Sequence, residues 1–295
     1  MSAGTGSTAV TTSRGLVLGG GGVAGIAWEL GLLAGLADAG VDLTGADTLV
    51  GTSAGSVVAT LVATGVPLAK AYEAQLEPPE RSTELGAPFD IDELQAAAMA
   101  AMREAGGDRQ RFRAAIGATA LAAPTVAEPV RREIIAARLP VHDWPARDLR
   151  IVAVDAVSGR EAVFTRDSGV GLVDAVAASC AVPGVWPPVT IGEHRYIDGG
   201  LRSITNADLA AGCAALVVLA PMTMPAGGPF PSMKEEVSGL EPSRVHVVTA
   251  DAAFQAAAGT NPLDPATRAP SARAGRAQAP AVADAVRSVW LAGAR

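Results

Sequence analysis

The sequence predicts one α/β domain built around a mainly parallel central sheet, with helices on both faces in a three-layer sandwich. Short apolar runs typical of buried strands alternate along the chain with helical patterns, and this alternation is typical of parallel sheets. The 295 residues, 49% of them hydrophobic, can fill one substantial core. We therefore expect a single domain over residues 15–295, preceded by a disordered, polar tail over residues 1–14.

The first two strands are each followed by a glycine turn and a helix. Residues 15–19 lead into consecutive glycines, and a helical pattern then runs to Gly40, which is placed to end it. The second unit repeats this order around GTSAGS and ends at Gly65. The predicted bounds are strand 15–19 with helix 24–39, then strand 48–50, turn 51–55 and helix 56–64.

Residues 66–145 carry mostly helical patterns. We expect Asp90 or Asp92 to cap a helix that ends at Gly106 and Gly107. The apolar face of that helix is typical of core packing. A lid over a functional site is the alternative use of the segment.

The second half of the chain returns to strands. The run LRIVAVDAVSGREAVF is typical of a hairpin that turns at Ser158 and Gly159, with Asp155 bonded to the turn backbone. The C-terminal segment is rich in Pro, Arg and Ala, and predicts a helix only from about Ala279. The remaining predicted elements are a helix over 174–180 and strands near 194–198, 216–220 and 245–249.

Composition and charge narrow the range of possible functions. The net charge is −7 and the chain contains only two lysines, which argues against nucleic acid as a partner. Without a long apolar run or an export signal, the sequence predicts a cytoplasmic protein with at most transient membrane contact. Cys180 and Cys213 are isolated from each other and from histidine, so neither a disulfide framework nor a zinc site is expected.

The glycine loop allows two interpretations. Gly20, Gly22 and Gly25 satisfy the G-x-G-x-x-G pattern of dinucleotide-binding sites. Such sites also need an acidic residue at the end of the second strand, and that strand ends in Gly51-Thr52-Ser53 instead. Nucleotide binding is therefore the weaker alternative.

The second turn, Gly51-Thr52-Ser53-Ala54-Gly55, matches G-x-S-x-G between a strand and a helix. In that context a serine is exposed at the carboxyl edge of the sheet as a nucleophile. Its attack on an ester produces an oxyanion, which needs backbone N–H donors. The bare glycine loop on the neighbouring strand can supply them, so we expect both turns to share one site.

The residues alone do not decide which group accepts the proton of the serine hydroxyl. Ser53, Asp198 and His246 follow the order of a hydrolase triad, but His246 lies inside a strand-like run. His194 and Asp198 lie about 13 Å apart in an extended segment, too far for a relay. Asp198, in YIDGGL, is either a structural turn residue or the base.

Four blocks resemble the patatin-like phospholipase family: LGGGGVAGIAWELGLLAGLADAG, GTSAGS, AASCAVPGVWPPV and YIDGGL, with Asn206 following. They span residues 15 to about 210. The resemblance implies a Ser-Asp dyad of Ser53 and Asp198, without histidine. It also implies an oxyanion hole formed by Gly20, Gly21 and Gly22 with the N–H of Ala54. Ala24 departs from the Arg or Lys usual in the family's loop, which affects headgroup contacts rather than the N–H donors.

The leading hypothesis is a serine lipid acyl hydrolase that forms an acyl-Ser53 intermediate, which water activated by Asp198 cleaves without metal or cofactor. Phospholipids, lysophospholipids or neutral glycerides are the expected substrates. The alternatives are a Ser53-Asp198-His246 esterase and a non-enzymatic member of the fold that binds lipid or protein. We expect Trp186 to belong to a rigid packed loop, with an acyl pocket as the alternative.

Overall fold

The computed structural model describes residues 13–87, 89, 91–240 and 243–291, the side chains of residues 91–95 excepted. Most of the tail predicted over residues 1–14, and the predicted cap at Asp90 or Asp92, lie outside this description. Arg14 is an exception, because it already belongs to the first strand. None of the helices in these ranges is long and apolar enough to cross a membrane.

An eight-stranded mixed sheet forms the centre of the fold. Its strands are β1 (Arg14–Leu18), β2 (Thr48–Thr52), β3 (Asp148–Asp155), β4 (Glu161–Phe164), β5 (Val189–Ile191), β6 (His194–Asp198), β7 (Ala215–Ala220) and β8 (Arg244–Thr249). Their order is β5-β6-β3-β2-β1-β7-β8, with β4 also paired to β3. The five strands from β3 to β8 in this order run parallel. Strands β4 and β6 pair antiparallel with β3, and β5 pairs antiparallel with β6. The predicted mainly parallel α/β architecture is confirmed.

Helices cover both faces of the sheet. In β1, Leu16 and Leu18 face the larger core, whereas Val17 faces the opposite side, as the two-residue period of a strand requires. The helices are α1 (Gly22–Asp38), α2 (Ala54–Ala63), α3 (Leu68–Gln75), α4 (Ile91–Glu104), α5 (Arg109–Ala122), α6 (Glu128–Arg138), α7 (Leu172–Ser179), α8 (Met233–Val237), α9 (Ala252–Ala258) and α10 (Arg268–Trp290). The larger core lies under α1, α2, α7 and α10, and the thinner layer includes α5 and α8.

Local turn predictions agree with the structure. Gly40 and Gly65 follow α1 and α2 with φ of +77° and +78°, a conformation that favours glycine at helix ends. Strands β3 and β4 form the predicted hairpin. In its turn Asp155 Oδ1 accepts hydrogen bonds from the backbone N–H groups of Val157 (3.1 Å) and Ser158 (2.7 Å).

The predicted start of the C-terminal helix was wrong. Helix α10 begins at Arg268, eleven residues before Ala279, because it packs closely along α1. A Cβ on Gly31 would lie 2.1 Å from the carbonyl oxygen of Ala272, and one on Gly275 would lie 2.2 Å from that of Trp28. Tertiary contact therefore stabilises a helix that local propensity underestimates.

Candidate active site

Ser53 stands in the sharp turn between β2 and α2. Its φ of +50° is uncommon for a residue with a side chain, and such strain is frequent at functional sites. The turn is possible because the residues on either side of it are glycines, which have no side chain. A Cβ on Gly51 would lie 2.6 Å from Cα of Ser56, and one on Gly55 would lie 2.0 Å from the carbonyl oxygen of Leu18. Both glycines of the G-x-S-x-G turn are thus required by close approach.

The glycine loop after β1 lies directly beside this turn. The N–H of Gly55 donates to the carbonyl oxygen of Gly19 at 3.0 Å, which joins the two turns. Gly22 has a φ of +64° and approaches the carbonyl of Pro262, where a Cβ would be only 2.7 Å from the oxygen. The expected proximity of the two glycine turns is therefore confirmed.

The N–H groups around Ser53 are not equivalent. That of Gly20 donates to the carbonyl oxygen of Ile204 at 2.9 Å, so Gly20 anchors the loop and its N–H is occupied. Within the described ranges, the N–H groups of Gly21, Gly22 and Ala54 have no acceptor. Gly22 and Ala54 also begin α1 and α2, whose positive dipole ends favour negative charge. The expected role of Gly20 as a donor thus changes to that of an anchor.

Asp198 ends β6, and this end of β6 meets the end of β2, which Ser53 follows. Asp198 pairs with Ala153, the residue after Val152, and Val152 pairs with Thr52. Because β4 pairs with Val152 and Ala153 along the opposite edge of β3, β2 and β6 lie end to end along the same edge. Asp198 Oδ1 accepts a hydrogen bond from the N–H of Gly200 at 2.8 Å. Oδ2 is buried with no hydrogen-bond partner of regular geometry among the described residues.

Burial decides the charge state of this carboxyl. It raises the pKa of Asp198 to about 7, against the opposing hydrogen bonds from the Gly200 backbone and the Ser53 side chain. An ordinary aspartate, with a pKa of about 3.9, is a poor proton acceptor. The buried Asp198 is instead matched to proton transfer near neutral pH.

Asn206 connects the Ser53 and Asp198 strands. It is fully buried, has a left-handed backbone with a φ of +54°, and directs its side-chain amide between the two strands. Its Nδ2 donates to Thr52 Oγ1 at 2.9 Å, beside Ser53, and approaches the carbonyl oxygen of Gly199 at 3.3 Å, beside Asp198. Asn206 therefore sets the separation of the two strand ends.

The buried side chain of Glu236 supports the glycine loop indirectly, through Ile204. Glu236 accepts hydrogen bonds from the N–H groups of Ile204 at 3.1 Å and Thr205 at 3.2 Å, and from the Thr205 hydroxyl. Ile204 in turn accepts the N–H of Gly20. Burial raises the pKa of Glu236. No pattern in the sequence indicates this role of Glu236, and the sequence marks Asn206 only as a residue that follows the YIDGGL block.

The histidines lie away from Ser53. His246 is in the row of Leu49, four residues before Ser53 and three strands away, which places its Cα about 20 Å from that of Ser53. Burial lowers the pKa of His246. His194 is exposed, and its Nδ1 lies 2.7 Å from Asp155 Oδ2. The structure does not bring the triad Ser53, Asp198 and His246 together.

An apolar pocket of about 110 Å³ opens at Ser53 and Asp198. Trp186 is not among its lining residues: it is 3% exposed and stacks under the guanidinium of Arg131 at 3.8 Å. Trp186 is therefore packed as expected and is not part of an acyl pocket, whereas Val182 and Pro183 of the same loop line the pocket. Apart from Ser53, Asp198 and the glycine loop, the lining consists mainly of apolar residues, among them Phe89, Val182, Pro183, Leu201, Ile204, Met222, Met224, Phe230 and Leu263.

The sequence pattern of the patatin-like phospholipase family matches residues 16–211. That range contains both glycine turns, Ser53, Asp198 and Asn206. The chain belongs to the patatin-like phospholipase family. Its membership supports a lipid acyl hydrolase. Strands β7 and β8 and helix α10 follow the matched range and extend the same patatin-like sheet and core.

Solved structures show more distant likenesses. VipD from Legionella pneumophila is 14% identical, with a TM-score of 0.47, and the alignment covers 93% of this chain and 67% of VipD. The type III effector ExoU is 19% identical, with a TM-score of 0.37 and coverage of 92% and 53%. The chain thus spans about half the length of ExoU. No curated protein sequence matches the chain. These similarities are too distant to transfer residue roles.

Ala24 stands at the loop position where the family resemblance implies Arg or Lys. The residue is fully buried in α1, and its N–H donates to the carbonyl oxygen of Pro262 at 2.9 Å. No charged side chain therefore extends from this position toward the pocket.

Proposed function

We propose that this protein is a serine lipid acyl hydrolase, with Ser53 as nucleophile and Asp198 as general base. The observation that carries the proposal is the placement of a strained serine and a buried carboxyl at the adjoining ends of β2 and β6, at the mouth of one apolar pocket. A serine on such a turn needs a neighbouring base to become a nucleophile. Among the described residues that line its pocket, Asp198 is the ionisable one.

In the acylation step, the Asp198 carboxylate accepts the Ser53 hydroxyl proton as Oγ attacks the ester carbonyl. The carbonyl oxygen becomes an oxyanion, for which the N–H groups of Gly21, Gly22 and Ala54 are the proposed donors. One such donor contributes roughly 3 kcal/mol to transition-state stabilisation. Protonated Asp198 then gives its proton to the leaving alcohol, and acyl-Ser53 remains.

In the deacylation step, Asp198 accepts a proton from water as the water oxygen attacks the acyl carbonyl. The same N–H groups receive the second oxyanion. Its collapse breaks the bond to Ser53 Oγ, which recovers the proton from Asp198, and the fatty acid leaves. The cycle restores both residues and needs no further acid or base.

The pocket supports lipid esters as substrates. Its lining of Phe, Met, Leu and Ile side chains suits an acyl chain. Phe89 comes from the mainly helical segment 66–145, so this segment supplies part of the pocket wall. This supports the proposal that the segment covers bound substrate.

The deciding experiment compares hydrolysis of p-nitrophenyl esters of graded chain length by wild type and four variants. Ser53→Ala and Asp198→Asn should each lose activity, whereas His246→Ala and the exposed control Ser288→Ala should retain it. Circular dichroism checks folding. Undiminished hydrolysis by Ser53→Ala would overturn the proposal. A loss of hydrolysis in His246→Ala as severe as in Ser53→Ala would favour the Ser53-Asp198-His246 triad instead. Failure of a fluorophosphonate to label folded wild type would favour a binding role.

A further inference from the structure

The side chain of Asn206 is itself held by an arginine. Arg202 Nη1 donates to Asn206 Oδ1 at 2.7 Å, whereas the nitrogen of the same amide makes the bonds to Thr52 and Gly199. The Arg202 side chain is only 15% exposed. It is not among the described residues that line the pocket at Ser53. Any part that Arg202 plays in the reaction must therefore act through another residue.

The chemistry of the guanidinium fixes the orientation of this amide. An asparagine amide has two orientations, which exchange its oxygen and its nitrogen. A guanidinium has hydrogen-bond donors and no acceptor, so it bonds only to the oxygen. With Oδ1 bonded to Arg202, Nδ2 of Asn206 donates to three acceptors, which are Thr52 Oγ1 and the carbonyl oxygens of Ser203 and Gly199. The reversed amide would lose these bonds, so Arg202 selects the orientation that joins the two strand ends.

The hydrogen bonds continue in one direction beyond Asn206. Thr52 Oγ1 accepts from the amide at 2.9 Å and donates its own hydrogen to the carbonyl oxygen of Thr205 at 3.3 Å. The backbone N–H and the hydroxyl of Thr205 in turn donate to Glu236, the carboxyl that supports the glycine loop. A chain of donors and acceptors therefore runs from Arg202 past the Ser53 turn to the support of that loop.

Two carboxylates hold the guanidinium in place. Asp208 accepts from Nη1 of Arg202 at 2.8 Å and from Nη2 at 2.6 Å, and Glu161 of β4 accepts from Nε. The hydrogen bonds to Asp208 and Glu161 raise the pKa of Arg202, so the group stays charged. Bidentate pairing fixes the plane of a guanidinium. The second hydrogen of Nη1 is thereby directed at Asn206 Oδ1, in a charge-assisted bond.

We infer that Arg202 is a positioning residue for the reaction of Ser53 and Asp198, and that it acts through the amide of Asn206. Without Arg202 the amide is free to reverse, and the ends of β2 and β6 lose their common partner. The inference rests on the proposed function for its catalytic consequence. Arg202→Ala should lower kcat by about 10- to 100-fold, as expected for the loss of a charge-assisted hydrogen bond. KM should change less, because Arg202 does not line the pocket.

The first test is a double-mutant cycle in the hydrolysis of p-nitrophenyl butyrate, with Arg202→Ala, Asn206→Ala and the double variant. If Arg202 acts through Asn206, the double variant should have about the kcat of the slower single variant, because the amide is already absent. Losses that multiply would overturn the inference. Arg132→Ala is the matched control and should keep the wild-type kcat, since Arg132 also pairs with a carboxylate, that of Asp174, outside the pocket.

Added guanidinium ion gives a readout that a merely structural role would not move. Arg202, Glu161 and Asp208 line one cavity of about 310 Å³, so Arg202→Ala leaves a site with two carboxylates that the free ion can enter. Guanidinium chloride, far below the concentrations that unfold proteins, should restore part of kcat in Arg202→Ala but not in the double variant. Sodium chloride should restore neither. Equal effects of the two salts, or rescue without the Asn206 amide, would contradict the inference.

Denaturant unfolding separates this inference from the proposed catalysis. If wild type hydrolyses no ester, the proposed function fails, but the contact between Arg202 and Asn206 can still be measured in the same four proteins. The double variant should be destabilised by less than the sum of the two single variants, because they remove the same hydrogen bond. Additive losses would show that Arg202 does not hold the amide, and would overturn the inference even if wild type is an active esterase.

Discussion

Ser53 and Asp198 face one pocket, but the chain positions them in different ways. Ser53 is held by its immediate neighbours, because Gly51 and Gly55 allow a turn that side chains would block. Asp198 is held by burial and by the pairing of β6 with β3, a strand from a distant part of the chain. The nucleophile is thus a product of local backbone geometry, and the base is a product of tertiary environment. Substitutions should affect the two sides differently.

The largest expected effect comes from the Asp198 side. Asp198→Asn removes the proton acceptor and should lower kcat by about 10⁴-fold. It also removes a buried carboxyl with an unpartnered oxygen, so it should stabilise the fold by up to about 4 kcal/mol above pH 7. Kinetics and denaturant unfolding measure the two effects.

The sign of that stabilisation follows from linkage. The folded-state pKa of about 7 exceeds the ordinary value of 3.8, so wild type loses stability as pH rises from about 4 through 7. The gain from Asp198→Asn should therefore be greatest above pH 7 and vanish near pH 4. Exposed Asp167→Asn is the control and should show no such dependence. A variant less stable than wild type at pH 8 would contradict the assigned burial.

On the Ser53 side, Gly55→Ala should mainly affect stability. The added methyl would lie 2.0 Å from the carbonyl oxygen of Leu18, so β1 and α2 must separate. We expect a loss of about 3 kcal/mol in the free energy of unfolding. Gly45→Ala is the matched control, since its Cβ would make only an ordinary contact at 3.5 Å. Equal stability of the two variants would show that the turn does not require its glycine.

Asn206 links the two sides, so its loss should reduce turnover without removing either catalytic group. Asn206→Ala should lower kcat by about 10- to 100-fold with a smaller change in KM, because the lost hydrogen bonds contribute roughly 1 kcal/mol each. Asn206→Gly keeps the left-handed backbone and separates strain from hydrogen bonding. If Gly restores wild-type kcat, the amide has no positioning role.

The smallest effect requires no substitution. Since Asp198 must be ionised to accept a proton, kcat/KM of wild type should rise with pH to a plateau, with a midpoint near 7. Below the midpoint it should fall about tenfold per pH unit. The profile is measured with a neutral ester. A midpoint near 4 would mean that the Asp198 environment is not desolvated in solution.

Much of the fold was predictable because its signals are local. Glycines after the first two strands mark the turns, and the alternation of strands and helices predicts the parallel part of the sheet. The early start of α10 was not predictable, because its stability comes from contact with α1, more than 200 residues away. Pro270 in its first turn also obscured the signal, although proline is tolerated there.

The same distinction applies to the site. By itself the sequence determined the Ser53 turn, the adjoining glycine loop and the candidacy of Asp198, since those features depend on residues a few positions apart. Only the tertiary structure decided that burial raises the pKa of Asp198, that the N–H of Gly20 is occupied and that Arg202 pairs beside the site with Glu161, 41 residues earlier in the chain. Backbone conformation is set by neighbouring residues, whereas desolvation, hydrogen bonding and charge balance depend on groups that meet only when the chain has folded.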